Sequence, residues 1–205
     1  KVPVTLKNML ENIVMGIKFD PREVILHHEE GVDVIPSNKL LSGLDVSLIM
    51  AEDREIILRE YLMLLKEDYD FMIIDCMPSL GMLTINALTA ADSVLIPMEP
   101  EYYAADGLME LLKVYSAIKA KFNPDLKIEG IVFTFDTPTF NNSKRNKKAV
   151  ISTYGDKIRI FKEPIPRAVT IAETASEGIS IFAYDCGGKG ARSYQKLVEG
   201  VLNHA

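Results

Sequence analysis

The fold predicted for this chain rests on YDFMIIDCMPSLG, residues 69–81. Residues 71–74 form a continuous apolar run, too short for a helix and typical of a strand buried on both faces of a parallel sheet. The run ends at Asp75, and a loop containing proline and glycine follows. In an open α/β sheet, ligands bind beyond the carboxyl ends of the strands. Asp75 therefore stands where a carboxylate can hold Mg²⁺ beside a nucleotide phosphate. The alternative is an ordinary buried strand that happens to stop at an aspartate.

Composition indicates one globular domain spanning residues 1–205, with 48% hydrophobic residues and a net charge of −6. No apolar run approaches the ~20 residues that span a bilayer, and no signal peptide is visible. Cys76 and Cys186 lie far apart, which predicts a reduced, cytoplasmic protein. We expect Cys76 to be a small buried side chain and not a redox thiol. The negative charge excludes a general nucleic-acid binder, so any DNA contact must come from a local patch or from dimerisation.

Strand and helix patterns alternate along the chain, which predicts an α/β fold with a doubly wound, mostly parallel sheet and helices on both faces. No predicted strand has a convincing hairpin partner. The predicted strands are 32–35, 71–74, 93–98, 128–133 and 157–161, and the predicted helices are 5–13, 52–66, 83–90, 107–121, 143–154 and 191–202.

Short motifs after Asp75 extend along the rest of the chain. They are LTINAL at 83–88, ADSVLIP at 91–97, EYYA at 101–104, IPR at 165–167, AE at 172–173, YD at 184–185 and KGA at 189–191, with IPSN at 35–38 and LSG at 41–43 upstream. With these motifs the whole chain resembles the ParA/Soj family of chromosome- and plasmid-partitioning ATPases. The resemblance implies a P-loop NTPase-like fold, ATP and Mg²⁺ as cofactors, and hydrolysis of ATP to ADP and phosphate.

The resemblance also implies a role for each residue that matches a family motif. Asp75 would be the Walker B acid that organises Mg²⁺ and its waters. The second switch, a loop that senses the γ-phosphate, would consist of Pro78, Ser79 and Gly81. Met77 stands where the family usually has proline, which makes this loop less stiff. Residues 99–100 read Glu-Pro where the family tends to have Gln-Cys, which changes the charge beside the dimer face.

Three further residues lie where the family encloses the adenine base: Thr134, Pro166 and Arg167. For Thr134 the alternative is a hydroxyl at a strand end that satisfies the backbone.

The sequence contains no G-x-x-x-x-G-K-[ST] phosphate-binding loop. Residues 187–190, GGKG, come nearest, but Ala191 stands where the motif needs serine or threonine, and no strand leads into them. We expect a surface turn there. The resemblance places the P-loop and the first switch in roughly 50 residues ahead of Lys1. We therefore expect an N-terminally truncated ParA-like domain without its first βαβ segment, which does not hydrolyse ATP by itself. A naturally degenerate paralogue is the alternative.

DNA binding is expected at a basic cluster. In the bacterial partitioning branch two arginines help to hold DNA, and the matching positions here, Thr139 and Thr170, are not cationic. The chain instead has Lys144, Arg145, Lys147 and Lys148. If Ser143 caps a helix, the three lysines share one face in its first two turns. Cations at that end oppose the helix dipole, which suggests phosphate contact. A solvated charged face is the alternative.

One other cluster attracts attention. Residues 27–30 read HHEE, which suggests a metal site. Adjacent residues on a strand point to opposite faces, so we expect an exposed polar loop instead.

The function expected from these observations is DNA partitioning by an ATPase that dimerises on binding ATP, holds DNA non-specifically and answers to a ParB-like partner, in the cytoplasm on the nucleoid. One alternative is a MinD-like ATPase of cell division, which would need a membrane-targeting tail. Residues 197–205 lack a basic, aromatic-rich extension, so membrane attachment is not expected. The other alternative is a non-catalytic binding module that has lost its P-loop.

Overall fold

The structure is a computed structural model that describes residues 4–44, 48, 51–101 and 104–203. The chain forms two compact units. Unit 1 comprises the described residues of Lys1–Asp92 and Lys113–Leu126, and unit 2 those of Ser93–Leu112 and Lys127–Ala205. The single domain predicted from composition stays a prediction.

Most of the regular elements of unit 1 are helices. Helix α1 confirms the helix predicted at residues 5–13. Thr5 is its N-cap and forms a capping box with Asn8, and Met9 and Leu10 are buried. The elements of unit 1 are α1 (Leu6–Met15), β1 (Leu26–His27), β2 (Asp33–Val34), α2 (Ile57–Met63), α3 (Met82–Ala90) and residues 113–121 of the later helix Ala104–Lys121, with 3₁₀ turns at Lys39–Gly43 and Lys66–Asp68. Its core contains Met9, Leu10, Val24, Leu44, Leu48, Ile57, Leu58, Tyr61, Leu65 and Ala87.

A hairpin that the sequence analysis did not predict joins β1 and β2. The two strands pair antiparallel, with His27 opposite Asp33. Gly31 in the turn has φ +75°, a left-handed conformation that glycine adopts without steric cost. His27 Nδ1 lies 2.6 Å from Asp33 Oδ1, and the Tyr69 hydroxyl donates to Asp33 Oδ2 at 2.7 Å. These hydrogen bonds hold the pKa of the Asp33 carboxyl below its ordinary value, and the bond from Tyr69 has the larger effect. His27 thus lies exposed on a strand, and within the described ranges no group of three or more His, Cys, Asp and Glu side chains comes together as a metal site would require.

The buried strand predicted at residues 71–74 is wrong. These residues form no strand, and Phe71 and Ile73 are 61% and 95% exposed. A buried strand needs ladder partners for its backbone groups, and no described residue pairs with this segment. The apolar run has no regular secondary structure.

Helices α2 and α3 are locked together by Asn86, which is 1% exposed. Its amide oxygen accepts from the Leu58 backbone N–H at 3.0 Å, and its nitrogen donates to the Arg54 carbonyl at 2.7 Å. Helix α2 is shorter than the predicted helix 52–66, because the chain turns before Ile57, with Asp53 at φ 51°.

Unit 2 contains the parallel strands of the α/β fold. Its elements are β3 (Ser93–Met98), the first part of α4 (Ala104–Lys121), β4 (Lys127–Phe133), α5 (Asn141–Tyr154), α6 (Val169–Glu177), α7 (Ile181–Tyr184) and α8 (Lys189–Leu202). Strands β3 and β4 pair parallel, which confirms the two strands predicted there. The predicted strand 157–161 is reduced to an isolated parallel bridge between Ile160 and Ile131 of β4.

Helices cover both faces of β4. On one face Ile131 and Phe133 pack with Leu108 of α4 and Val150 of α5. On the other face Val132 packs with Phe161 and Ile165, against α6 and α8 side chains. This alternation is typical of a parallel strand buried on both faces, and it confirms the α/β arrangement predicted from the sequence.

Tyr61 gives unit 1 a pH-dependent stability at high pH. The side chain is fully buried, and its hydroxyl donates to the Pro21 carbonyl at 2.8 Å. Burial first, and then the nearby Tyr69, Asp20 and Glu23, raise its pKa from 10.0 to about 12. A group whose pKa is higher in the folded chain stabilises the fold fully at pH values below its unfolded pKa. This contribution is lost as the pH rises through its folded pKa. We expect the free energy of unfolding to fall between pH 10 and about 12. Tyr61→Phe should make this fall shallower in urea titrations, and an unchanged slope would contradict the prediction.

Within the described ranges, none of the helices has the length and apolar character that crossing a lipid bilayer would need.

Candidate functional site

The acidic loop of the candidate site lies in unit 1 and leads into helix α3. Asp75 is exposed, as a carboxylate that meets a ligand must be, but no strand leads to it. Pro78 and Ser79 are exposed, and Gly81 is the N-cap of α3. The Ser79 carbonyl accepts the hydroxyl of Thr84, which is buried in the first turn of α3. The loop is therefore attached to a helix that Asn86 fixes in the core, while the Asp75 carboxylate stays accessible.

Cys76 is exposed, so the prediction of a buried side chain is wrong. Its Sγ lies 3.8 Å from the Ile74 carbonyl oxygen. Desolvation by the surrounding chain and the neighbouring Asp75 carboxylate raise the pKa of the thiol. A raised pKa disfavours the thiolate, so the group is a poor candidate for redox chemistry.

The residues predicted to enclose a base come together in unit 2, just beyond the carboxyl end of β4. Thr134 is half-buried, and its N–H donates to the Met98 carbonyl at 2.9 Å. Two residues later Asp136 forms an isolated parallel bridge with Pro166, and its carbonyl accepts the Arg167 N–H at 3.2 Å. Pro166 is buried and Arg167 is exposed. The structure thus places Thr134, Pro166 and Arg167 in one local assembly.

Two residues of this assembly were missed in the sequence. Phe135 has φ 49°, is 52% exposed, and its ring lies 5.5 Å from the Arg167 guanidinium carbon. Asp136 is 4% exposed, and its Oδ1 accepts from Ser143 Oγ at 2.9 Å and from Lys147 Nζ at 2.8 Å. A signal for Asp136 was present, because it follows an apolar strand much as Asp75 follows residues 71–74.

The basic cluster lies on α5, but its geometry differs from the predicted one. The predicted N-cap Ser143 is wrong, because α5 begins at Asn141 after Phe140. Ser143 instead faces inward and donates to Asp136. Lys147 lies one turn later and its ammonium contacts the same Asp136 carboxylate. The three lysines therefore do not share one outward face. Arg145 and the other two lysines, Lys144 and Lys148, are exposed, and no ion pair among the described residues neutralises them.

The glycines at 187–190 are explained by packing. Gly188 is the N-cap of α8, and a Cβ there would lie 1.9 Å from an Asp185 carboxylate oxygen. Gly190 is buried in the first turn, where a Cβ would lie 2.9 Å from Ile171. The prediction of a surface turn holds only before α8 begins at Lys189, and helix α7 is the element that precedes it.

Comparison with known proteins identifies the family. The family model described as "AAA domain" matches residues 4–128. The sporulation initiation inhibitor protein Soj of Bacillus subtilis (strain 168) is 41% identical over 196 residues, which cover 94% of this chain and 77% of that protein. The chain belongs to the ParA/Soj family of partitioning ATPases. The chromosome partitioning protein ParA of Myxococcus xanthus (strain DK1622) is 41% identical over 179 residues, 86% of this ParA/Soj chain and 62% of the relative. The chain thus spans 62% to 77% of the length of these two relatives.

Solved structures agree with this assignment. The crystal structure of cobyrinic acid a,c-diamide synthase from Mycobacterium smegmatis with bound ADP and magnesium is 31% identical, with a TM-score of 0.82 over 100% of this chain and 73% of that one. The cell division ATPase MinD of Pyrococcus furiosus is 20% identical, with a TM-score of 0.73 over 100% of this chain and 78% of that one. At that identity the likeness to MinD shows the fold alone. Both comparisons confirm the predicted P-loop NTPase-like fold.

The EYYA motif at 101–104 contributes to the resemblance, but Tyr102 and Tyr103 lie outside the described residues.

Proposed function

We propose that the protein to which this chain belongs is an ATPase for DNA partitioning, which dimerises on binding ATP, holds DNA non-specifically and is stimulated by a ParB-like partner. The observation that carries the proposal is the 41% identity to Soj over 94% of the chain. The likeness to the diamide synthase is weaker, at 31% identity. We place this activity in the cytoplasm, on the nucleoid.

ATP and Mg²⁺ are the proposed cofactors, and the exposed donor groups fit them. Mg²⁺ is usually held by one or two carboxylates together with substrate phosphates and water. Asp75 offers one accessible carboxylate, which fits such a site. The loop residues Pro78, Ser79 and Gly81 adjoin it and would respond to the γ-phosphate. Bound Mg·ATP supplies the phosphoryl group that an ATPase transfers to water.

Base binding is proposed for the assembly beyond β4. The half-buried Thr134 offers a hydroxyl that can donate or accept a hydrogen bond. The neighbouring Pro166 is fixed by its bridge to Asp136, so its ring has a defined place beside the base. The exposed Arg167 can lie over a base or contact a phosphate.

DNA contact is proposed for the outward residues of α5: Lys144, Arg145 and Lys148. The chain as a whole carries a net charge of −6, so this local excess of cations must supply any phosphate contact. Lys147 was predicted with them. Because its ammonium already contacts Asp136, we propose that it stabilises α5 and does not contact DNA itself.

The first test measures ATP binding. Because the 205-residue sequence contains no G-x-x-x-x-G-K-[ST] loop, we expect no Mg·ATP binding by this chain in isothermal titration calorimetry. The product of the complete gene should bind Mg·ATP and hydrolyse it faster when DNA and its partner are present. Micromolar Mg·ATP affinity in the 205-residue chain would contradict our interpretation of the missing loop. A complete product that neither binds nor hydrolyses ATP would favour a non-catalytic binding module.

The second test measures DNA binding at increasing salt. Reversing the charge of Lys144, Arg145 and Lys148 to glutamate should abolish non-specific binding by the complete product. The matched control reverses three exposed lysines elsewhere: Lys18, Lys66 and Lys113. Both triples change the net charge equally, so a general charge effect would weaken both. Because each phosphate contact steepens the salt dependence, the α5 variant should also lose most of the slope of log K against log salt. An unchanged slope in that variant would refute the assignment.

A further inference from the structure

The parallel strands of unit 2 end in an open edge beside β4. The edge segment, residues 159–162, is held to β4 by two backbone hydrogen bonds: Ile131 N–H to the Arg159 carbonyl at 2.8 Å, and Phe161 N–H to the Ile131 carbonyl at 2.9 Å. Successive residues of an extended chain turn their backbone polar groups to opposite sides. The N–H and C=O of Ile160 therefore point away from β4. Within the described part of the chain, no hydrogen bond reaches them.

A hollow lies on each side of this edge. The α5-side hollow, of about 420 Å³, is lined by residues that include Lys147 and Ile151. The α8-side hollow, of about 330 Å³, is lined by residues that include Lys196 and Leu197. Ile160, Phe161 and Lys162 line both hollows. A strand added beside Ile160 would thus have room for side chains on both of its faces.

The two linings contain more cations than carboxylates. Four cationic side chains line them, namely Lys147, Arg159, Lys162 and Lys196, against the single carboxylate of Glu163. Three of these cations already have partners: Lys147 pairs with Asp136, Arg159 with Glu129 and Lys196 with Glu163, and of these carboxylates only Glu163 lines a hollow. Lys162 is exposed and has no ion-pair partner among the described residues. The floors, by contrast, are apolar, with the buried ring of Phe161 in both.

We propose that the edge segment is a docking site for an extended peptide segment of another protein that carries acidic and apolar side chains. The peptide adds to the sheet as a strand, and its backbone pairs with the free N–H and C=O of Ile160. Its apolar side chains enter the hollows, and its carboxylates meet Lys162, the lining cation without an ion-pair partner among the described residues, at the rims. A helix cannot offer these backbone groups, because its own turns use them. A nucleic acid offers negative charge but has no peptide N–H and C=O groups to pair with Ile160. The site is independent of the proposed ATPase and DNA-binding functions, since it uses neither Asp75 nor the exposed cations of α5.

The test uses the 205-residue chain and a fluorescein-labelled peptide of repeating Val-Val-Glu-Glu, which places valine and glutamate on both faces of an extended strand. We expect saturable binding by fluorescence polarisation, and slower amide hydrogen exchange at Ile160 but not at Phe161, whose N–H is already paired. Lys162→Glu should weaken binding about tenfold, because it reverses the charge shared by both rims. The matched control, Lys18→Glu, changes an exposed lysine of unit 1 outside both hollows and should leave binding unchanged.

Two further comparisons separate strand addition from simple charge attraction. The same peptide with N-methylated valines keeps its charges but loses backbone donors, so it should bind much more weakly. Ile160→Pro removes the outward N–H of the chain while leaving both hydrogen bonds to β4, and it should have the same effect, with folding verified by circular dichroism. Equal binding of the methylated peptide, equal binding of a lysine–valine peptide, or no exchange protection at Ile160 would each overturn the proposal. Protection of Ile160 by a DNA duplex and not by the acidic peptide would also overturn it.

Discussion

Replacing Gly130 with alanine is expected to destabilise the chain by about 3 kcal/mol, the combined cost of a strained backbone and an overpacked core. Gly130 lies within β4 with φ +153°, a conformation that residues with a side chain rarely adopt. A Cβ at this position would lie 2.8 Å from a ring carbon of Phe161 and 2.9 Å from the Arg159 carbonyl oxygen. The Arg159 carbonyl accepts the bond from Ile131, so it cannot move without disturbing the edge of the sheet.

Gly107→Ala is the matched control for this prediction. Gly107 lies in α4, and a Cβ there would meet nothing within 4 Å. Alanine favours a helix over glycine by about 1 kcal/mol, so this change should stabilise the chain. Urea unfolding of both variants measures the two free energies. If Gly130→Ala were as stable as the unchanged chain, the close approach between β4 and the segment containing Phe161 would be refuted.

The sequence predicted best the elements whose pattern is local. Helix α1 shows this, because its apolar spacing and its N-cap residue Thr5 can both be recognised within one short stretch of sequence. Strands β3 and β4 were also predicted nearly to the residue, since each is a short apolar run with clear ends. Periodicity and caps carry this information without any knowledge of tertiary contacts.

Elements that depend on distant partners were predicted poorly. Residues 71–74 have the composition of a buried strand, yet composition cannot supply a ladder partner, and the described chain offers none. The predicted strand 32–35 contains β2, but its partner β1 and the hairpin were missed, because β1 is only two residues long, too short for an alternating pattern to appear. For this hairpin the glycine of the turn, Gly31, indicates the structure better than the two short strands do.

The candidate site shows the same division. Thr134, Pro166 and Arg167 were selected by resemblance, and the structure brings them together through the pairing of Asp136 with Pro166. Ser143 was interpreted as a cap because serine commonly occupies that position. Its partner is instead a carboxylate seven residues earlier, a contact that no local rule predicts. Long-range polar contacts of this kind are where sequence reasoning fails.

Asp136→Ala is expected to lower the free energy of unfolding by about 3 kcal/mol, because it leaves a largely buried ammonium without its partner. The Asp136 carboxylate is 4% exposed and the Lys147 side chain 21% exposed, with 2.8 Å between the charged atoms. Ser143 loses the same acceptor. The Glu163–Lys196 pair provides a matched control, since its atoms are also 2.8 Å apart but its side chains are 50% and 55% exposed. Glu163→Ala should change stability little, because water screens exposed pairs.

A double-mutant cycle separates the pair from the surrounding packing. Lys147→Met keeps most of the side-chain volume but leaves the Asp136 carboxylate with Ser143 alone. If the two charges stabilise each other, the double variant Asp136→Ala with Lys147→Met should be more stable than the two single changes predict together, by about 2 kcal/mol. Additive effects would show that Asp136 and Lys147 act separately. In that case the inward orientation of Lys147 would follow from helix packing alone, and its ammonium would be available to DNA like those of its neighbours on α5.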